Sequence, residues 1–414
     1  MSGIRAVLDR IRPGNRVFVA GSGGEPSALL AAWNADPDRT RDLHIVTSAV
    51  PGINGLDLES LHPTARVTGL FMQPAFANAQ RAGRYRHLPV SYAGFARMLA
   101  EDLTFDVCVA QVAPAEKGRC SMGPAVEFLP LALRRSREVV GLANAGTPVL
   151  SASKSVAADD FVAIAEVDTP LPTYDTGAID DASRRVAEHI APFIPDGATL
   201  QVGLGKTPAA LMQALTRRRG LRLHGGMFGD GVVELVRAGA LDTDWPHRAC
   251  VFVGQPELYR WAGQQNRLGL AGCEITHGAE TLAGLTAFFA VNSAVEVDLW
   301  GQAALEHAGG AAISGAGGAP DFARAARMSP HGASMVALPA TAARGTRSRI
   351  VPALSAPGVA TLPRTDIDIV VTEFGAADLR GCSVVEKGGA LASIAAPQFR
   401  EELEASWHKM LERL

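Results

Sequence analysis

Residues 199–208, Thr-Leu-Gln-Val-Gly-Leu-Gly-Lys-Thr-Pro, decide the fold. A short apolar strand runs into a Gly-x-Gly turn, and an apolar helix follows as far as Met212. The same order occurs near the start of the chain, where the apolar segment 17–20 leads into a second glycine turn and helix. Another short apolar segment follows each helix, at 43–46 and at 221–224. The repeated strand, helix, strand order predicts two related α/β domains.

The join between the two domains is predicted at 194–197, Ile-Pro-Asp-Gly, just after a helical pattern over 180–193. We therefore expect an N-terminal domain over 1–195 and a C-terminal domain over 196–414. Further strands are predicted where apolar residues run continuously, as strands buried on both faces of a parallel sheet require. These runs are 106–112, 148–150, 334–338 and 367–371, and the C-terminal 397–414 is predicted to form an amphipathic helix.

The composition is that of a globular chain with no bias toward charged partners. Of its 414 residues 47% are hydrophobic and 20% charged, and the net charge is −3. This charge gives no electrostatic reason to expect nucleic acid or an anionic membrane as a partner. No window reaches the ~20 apolar residues of a membrane span, and residues 1–16 lack the apolar core of a signal peptide, so a cytoplasmic protein is expected. The five cysteines lie apart without Cys-x-x-Cys spacing, which argues against a disulfide framework and a zinc site.

Glycine loops between a strand and a helix can bind anions, because backbone N–H groups stay free at the positive end of the helix. A loop of this kind serves equally well as a tight turn with no ligand. The loop at 203–208 lacks the spacing of a dinucleotide fingerprint or a phosphate loop. A third glycine-rich segment, 314–318, precedes another predicted helix. Together, the three loops favour an extended anionic ligand.

Several motifs, spread over nearly the whole chain, resemble the acetyl-CoA hydrolase/transferase family, whose members include 4-hydroxybutyrate, butyryl and succinyl CoA-transferases. The motifs are Gly-Gly-Glu-Pro at 23–26, Gly-Arg-Cys-Ser-Met-Gly at 118–123, Gly-Leu-Gly-x-x-Pro at 203–208, Met-Phe-x-Asp-Gly at 227–231, the segment 291–302, the loop 314–322 and Val-Thr-Glu-Phe-Gly at 371–375. The resemblance implies two open α/β domains of class I CoA-transferase type, with the active site in the cleft between them. It also implies acyl-CoA as substrate with coenzyme A as its carrier, a small-molecule acceptor, no metal, and a homodimer.

The same resemblance points to a missing nucleophile. Members of the family use a glutamate as a covalent relay, in a pattern of the type His-Thr-Glu-Met-Phe-Ser-Asp-Gly. Aligned without gaps on Met227 and Phe228, this chain reads His224-Gly225-Gly226, and Gly226 takes the place of the glutamate. Two adjacent glycines are expected to open volume where that side chain would lie.

Candidate site residues follow from the same comparison. His224 is a candidate general base because imidazole titrates near neutral pH, and Glu296 is a candidate base or substrate anchor. Each has an alternative structural role in hydrogen bonding. The expected substrate and oxyanion contacts are Gly203, Gly205, Lys206, Gly225, Gly226 and Met227, and the expected CoA contacts are Gly315, Gly317, Gly318 and Asp321.

Three functions remain open at this point. In the first, the enzyme moves the acyl group from CoA directly to water or a non-carboxylate acceptor, with no glutamyl-CoA intermediate. In the second, it is a true acetyl-CoA hydrolase or acyl-CoA:carboxylate CoA-transferase that uses a displaced carboxylate. In the third, it binds a CoA ligand without catalysis.

Overall fold

The computed structural model describes residues 2–412 and contains two parallel sheets flanked by helices. The first sheet has seven strands in the order β4-β3-β2-β1-β5-β7-β9, and every neighbouring pair is parallel. The strands of this half are β1 Arg16–Val19, β2 His44–Thr47, β3 Arg66–Gly69, β4 Tyr85–His87, β5 Phe105–Val112, β6 Arg119–Ser121, β7 Ser136–Asn144, β8 Ser155–Ala157 and β9 Ala163–Val167. Its helices are α1 Ser2–Leu8, α2 Ser27–Ala35, α3 Ala77–Arg81, α4 Tyr92–Glu101 and α5 Leu129–Arg134.

The second sheet has six strands in the order β11-β10-β16-β21-β25-β26, and only the last pair is antiparallel. The strands of this half are β10 Thr199–Val202, β11 Arg222–Leu223, β12 Met227–Phe228, β13 His247–Ala249, β14 Val251–Phe252, β15 Leu268–Leu270, β16 Phe288–Ser293, β17 Glu296–Asp298, β18 Ala303–Ala304, β19 His307–Ala308, β20 Ala311–Ala312, β21 Ala333–Ala337, β22 Thr341–Ala342, β23 Arg347–Ser348, β24 Ile350–Val351, β25 Ile369–Thr372 and β26 Gly375–Asp378. Its helices are α6 Asp181–Ile190, α7 Lys206–Ala214, α8 Gly231–Arg237, α9 Pro256–Ala262, α10 Cys273–Thr276, α11 Ala279–Ala283, α12 Ala319–Met328, α13 Val384–Ser393 and α14 Pro397–Leu411.

The repeated unit predicted from the glycine turns is confirmed. In the first half β1 is parallel to β2 with α2 between them, and in the second β10 is parallel to β11 with α7 between them. In both sheets the chain first adds strands on one side of the starting strand and then continues on its other side. The strand order therefore reverses between β1 and β5 and between β10 and β16. Such reversal points leave a crevice at the carboxyl ends of the strands, where ligands of open α/β sheets bind.

The predicted strands at 106–112, 334–338 and 367–371 are confirmed as β5, β21 and β25. The strand predicted at 148–150 is wrong, because this segment lies in the connection after β7. Of its three residues only Leu150 is buried, at 4% exposed, whereas Val149 is 39% exposed. The Leu150 backbone N–H bonds to the Ser121 hydroxyl instead of a strand. The C-terminal helix is confirmed as α14, which ends at Leu411, and 413–414 lie outside the described residues.

Helix α6 packs with the second sheet although it precedes the expected boundary at 195. Its buried face, which includes Val186 and Ile190, lies against α7 and β25. His189 on the same helix bonds to the Thr372 carbonyl at 2.9 Å. The boundary between 195 and 196 itself stays a prediction. Among residues 2–412, no helix combines the length and the apolar character that crossing a membrane requires.

The loop 314–318 and the start of α12 join the two halves. The Met72 N–H donates to the Ser314 carbonyl at 3.0 Å, and the Tyr92 N–H donates to the Gly317 carbonyl at 3.0 Å. The carboxylate of Asp321 accepts from the Ser91 hydroxyl at 2.7 Å and from the Ala93 N–H at 3.0 Å. These contacts tie α12 to the start of α4, across the interface between the two sheets.

Asp321→Ala is expected to lower the free energy of unfolding by about 2 kcal/mol, because it leaves a half-buried hydroxyl and a half-buried N–H without their charged acceptor. Urea titration followed by circular dichroism measures the change. Asp38→Ala serves as the matched control, because the Asp38 side chain is 72% exposed and its change is expected to stay within about 0.5 kcal/mol. Equal effects of the two substitutions would contradict a joining role for Asp321.

Candidate functional site

The carboxyl end of β10 opens into a cavity of about 340 Å³. Three residues expected to contact substrate, Gly203, Gly205 and Met227, line it together. Helix α7 begins at Lys206, directly after the glycine loop, so its amino-terminal N–H groups lie beside this cavity. That arrangement suits a phosphate or a developing oxyanion. The Lys206 ammonium is paired with Asp180 at 3.3 Å.

Gly225 and Gly226 lie between β11 and β12, and neither opens into free space. A side chain at Gly225 would point at Gln201, whose Cγ lies 3.3 Å from an ideal Cβ. A Cβ at Gly226 would lie 3.6 Å from His277 Nε2 and 3.7 Å from Phe322 Cε2. The expectation of open volume at 226 is therefore wrong, because the rings of His277 and Phe322 occupy the space that a longer side chain would enter.

His277, which the sequence analysis missed, is the polar residue nearest to the side-chain position of Gly226. Its ring is 1% exposed and lies between Tyr92 and Phe322, with centroid distances of 5.0 and 4.5 Å. Burial lowers the pKa of His277 to about 3, so the imidazole is neutral at physiological pH. The absence of a side chain at Gly318 leaves room for this ring, because a Cβ there would lie 2.4 Å from His277 Nε2. A lone histidine without recognisable spacing gave no signal in the sequence.

His224 is buried in the same region and packs beneath the glycine pair. Its backbone N–H bonds to the Leu200 carbonyl at 2.9 Å, and its ring Nε2 donates to the Thr276 carbonyl at 2.8 Å. Because Nε2 carries the proton in this arrangement, Nδ1 keeps its lone pair. Burial lowers the pKa of His224, which favours the neutral ring.

Glu296 lies apart from this group, in the separate three-stranded sheet β18-β17-β24. Its two carboxylate oxygens accept from the backbone N–H and the hydroxyl of Ser355, at 2.5 and 2.9 Å. The side chain is 7% exposed. These bonds match the structural alternative for Glu296, whereas its role as base or anchor stays a prediction.

The residues expected to contact CoA lie at the join between the two sheets. Gly315 and Gly317 belong to the loop that packs on Leu70 and Tyr92, and Gly318 lies against His277. The Asp321 carboxylate is already bonded to the start of α4. Their contact with CoA stays a prediction.

Glu127 is a second site residue that the sequence analysis missed. Its carboxylate accepts from the Ser22 hydroxyl at 2.6 Å and from the Ser48 hydroxyl at 3.3 Å. Burial raises its pKa to about 7, although both hydroxyl bonds act in the opposite direction. Ser22 and Glu127 both have positive φ, at 49° and 34°, an uncommon conformation for residues other than glycine. Ser22 lies in the first glycine turn, which was the one signal available in the sequence.

A hydrogen-bonded ladder connects Glu127 to Gly226. The Gly226 carbonyl accepts from both the N–H and the thiol of Cys250, at 3.1 and 2.8 Å. The Cys250 carbonyl in turn accepts from the N–H groups of Val126 and Glu127, at 3.0 and 3.2 Å. Hydrogen bonds therefore connect the first glycine turn, the segment 125–127 and the missing-nucleophile position.

The fold, together with comparisons with known proteins, defines an acyl-CoA enzyme of CoA-transferase type. The family model for the acetyl-CoA hydrolase/transferase C-terminal domain matches residues 254–407. The 4-hydroxybutyrate coenzyme A transferase of Clostridium kluyveri is 31% identical over 410 residues, which cover 97% of this chain and 96% of that protein. The chain belongs to the acetyl-CoA hydrolase/transferase family.

Solved structures show the same architecture. RipA from Yersinia pestis superposes with a TM-score of 0.90 at 27% identity, covering 98% of this chain and 96% of RipA. The 4-hydroxybutyrate CoA-transferase of Porphyromonas gingivalis gives a TM-score of 0.79 at 27% identity, covering 99% and 96%. The class I CoA-transferase fold is thus confirmed, and the protein is an acyl-CoA-dependent transferase or thioester hydrolase.

Alanine at the two glycines that face His277 is expected to have different effects. Gly226→Ala places its Cβ in ordinary van der Waals contact, so the free energy of unfolding should change by less than about 1 kcal/mol. Gly318→Ala forces its Cβ to 2.4 Å from Nε2 and should cost about 1–3 kcal/mol. Thermal unfolding of the two variants measures the difference, and an equal loss at both positions would contradict the described packing.

Glu127→Gln is expected to remove a pH dependence of stability. Because the folded-state pKa of Glu127 is raised from 4.5 to about 7, its contribution is fully present below pH 4.5 and is lost as the pH rises through 7. The loss should be on the order of 3 kcal/mol. Urea titrations from pH 4.5 to 8 compare the wild type, Glu127→Gln and the control Glu101→Gln, which changes an exposed carboxyl. If the free energy of unfolding of Glu127→Gln depends on pH as steeply as that of the wild type, the raised pKa of Glu127 is contradicted.

Proposed function

We propose that the enzyme transfers the acyl group of a CoA thioester directly to water or to a hydroxyl or amine acceptor, without a glutamyl-CoA intermediate. The acceptor oxygen or nitrogen bonds to the thioester carbonyl carbon, and the carbon–sulfur bond breaks. The proton removed from the acceptor ends on the CoA sulfur. No other reactant is needed for this balance.

One observation carries the proposal: the residue that takes the place of the family's glutamate is Gly226. A glycine has no carboxylate with which to form an anhydride or a thioester. The space where a side chain at 226 would lie is bordered by the uncharged rings of His277 and Phe322, and not by a carboxylate from a neighbouring residue. The site therefore supports a reaction in which acyl donor and acceptor are bound together.

The cavity beside Gly203, Gly205 and Met227 is the expected place for the thioester. Backbone N–H groups at the start of α7 would polarise the carbonyl, and one such donor can contribute about 3 kcal/mol to transition-state stabilisation. The loop with Gly315, Gly317 and Gly318 is the expected contact for the rest of CoA.

For the general base we place His224 ahead of Glu296. The ring of His224 has an unprotonated Nδ1 and precedes Gly225 directly in the chain. By contrast, both carboxylate oxygens of Glu296 are bonded to Ser355, and Glu296 lies in the separate sheet β18-β17-β24. A neutral imidazole that accepts the acceptor's proton matches the lowered pKa of His224.

A second candidate function, acyl-CoA:carboxylate CoA transfer through a displaced carboxylate, is favoured by Glu127. This residue is buried, and its backbone N–H is two hydrogen-bonded steps from the Gly226 carbonyl. Hydroxyl groups of Ser22 and Ser48 hold it in place. Its raised pKa makes it a stronger nucleophile than an exposed carboxylate once it is ionised.

The setting of the reaction is also proposed from the family resemblance. We expect a homodimer that acts in the cytoplasm on acyl-CoA and a small-molecule acceptor, with no nucleic acid or membrane partner. The motifs that carry the resemblance lie along nearly the whole chain, and 96% of the Clostridium kluyveri relative is covered.

Treatment with acyl-CoA and then borohydride separates the functions, because borohydride reduces an enzyme-bound glutamyl thioester. For a panel of acyl-CoAs we expect no acyl-CoA-dependent inactivation and no adduct by mass spectrometry. CoA thiol should be released in water, and faster when an amine or alcohol acceptor is added.

An adduct mapped to Glu127, absent from Glu127→Gln and retained in Glu25→Gln, would overturn direct transfer and establish the displaced carboxylate. Tight CoA binding with no thiol release over the whole panel would overturn both enzymatic functions in favour of a ligand-binding role.

A further inference from the structure

We propose that Cys250, Cys273 and His277 form a binding site for a transition-metal ion of the zinc class. One donor atom of each lies within 4.8 Å of the other two, and none of the three side chains is more than 1% exposed. Thiolate sulfur and imidazole nitrogen are the donors that zinc prefers. This inference goes beyond the proposed function, which requires no metal.

Short and well-packed elements hold the three donors. Cys273 begins α10 and His277 follows that helix directly, with the His277 N–H bonded to the Cys273 carbonyl at 3.0 Å. One helical turn thus places both side chains on the same side. Cys250 comes from the junction of β13 and β14, where its N–H and thiol are both bonded to Gly226. The site is therefore built by tertiary packing of two distant segments.

A hydrogen bond orients the His277 ring and leaves one of its nitrogens unprotonated. Its Nδ1 lies 2.9 Å from the Thr276 hydroxyl oxygen. That hydroxyl donates to the Gly272 carbonyl at 3.4 Å, so it accepts the proton of Nδ1–H. Nε2 is then unprotonated, and its ring is oriented by a second partner, as metal-bound histidines usually are.

Charge also favours a divalent cation at this place. Two thiolates and a neutral imidazole around a doubly charged ion give a group with no net charge. A neutral group can be buried without the large cost of an unpaired ion. The surroundings are largely apolar: Tyr92, Phe128 and Phe322 all pack near the cluster.

A fourth ligand position stays open to water or a backbone oxygen. Among residues 2–412, no fourth histidine, cysteine or carboxylate joins the group. The Gly226 carbonyl oxygen, 2.8 Å from the Cys250 sulfur, is the backbone oxygen bonded to the cluster. Zinc sites with three protein ligands and one open position are typical of catalytic rather than structural centres.

Cobalt titration tests the proposal on the full-length chain, with no acyl-CoA present. Protein stripped of metal by a chelator under reducing conditions should bind one equivalent of Co²⁺. Thiolate ligation should give a charge-transfer band in the near ultraviolet, with the intense visible bands of a tetrahedral ion. Addition of Zn²⁺ should abolish both.

Cys250→Ser and Cys273→Ser should each lose the charge-transfer intensity of one thiolate and weaken binding at least about tenfold. Cys108→Ser is the matched control, because Cys108 is equally buried in β5 and lies outside the cluster. Equal Co²⁺ spectra in all three variants would overturn the site.

X-ray absorption spectroscopy of the zinc-loaded wild type needs no variant. Its result therefore does not depend on whether a cysteine variant folds. We expect two sulfur neighbours at about 2.3 Å and a nitrogen at about 2.0 Å. A first shell of oxygen and nitrogen alone would overturn the proposal. Because these readouts detect metal and not turnover, failure of the metal site and failure of the proposed function are distinguishable.

Discussion

The site depends on the backbone hydrogen bonds between segments 124–127 and 250–252, which join the two halves of the chain. The Phe252 N–H donates to the Pro124 carbonyl at 2.8 Å, and the Val126 N–H donates to the Cys250 carbonyl at 3.0 Å. Because β14 pairs with β12, this ladder reaches the Gly226 carbonyl. Buried backbone groups must be paired, so the ladder fixes the position of the first glycine turn relative to the glycine pair at 225–226.

Burial controls the chemistry of the groups along this ladder. His277 and His224 are held neutral, and the pKa of Glu127 is raised close to neutral pH. Removal from water disfavours the charged form of each group, whichever sign that charge has. Of these groups, the Glu127 carboxyl has the pKa closest to neutrality, which is the range that favours proton transfer near pH 7.

The fold could be predicted to a large extent, because local patterns encode it. Continuous apolar strands, glycine turns and following helices specify βαβ units, and β1, β10 and their helices form as expected. The error at 148–150 has a physical cause: a short apolar run occurs in a connection as readily as in a strand, and here only Leu150 is buried. Strands of two or three residues, such as β12 and β14, could not be predicted, since only long-range pairing creates them.

The sequence by itself determined the family, the repeated α/β units and the absence of a carboxylate at 226. Each of these is a property of residue types at short spacing. Only the tertiary structure decided what surrounds that position, because Glu127, Cys250 and the neighbouring pair Cys273 and His277 come from three separate segments of the chain. Packing of two sheets brings them together, and burial then sets their protonation. Spacing along the chain carries no record of either effect.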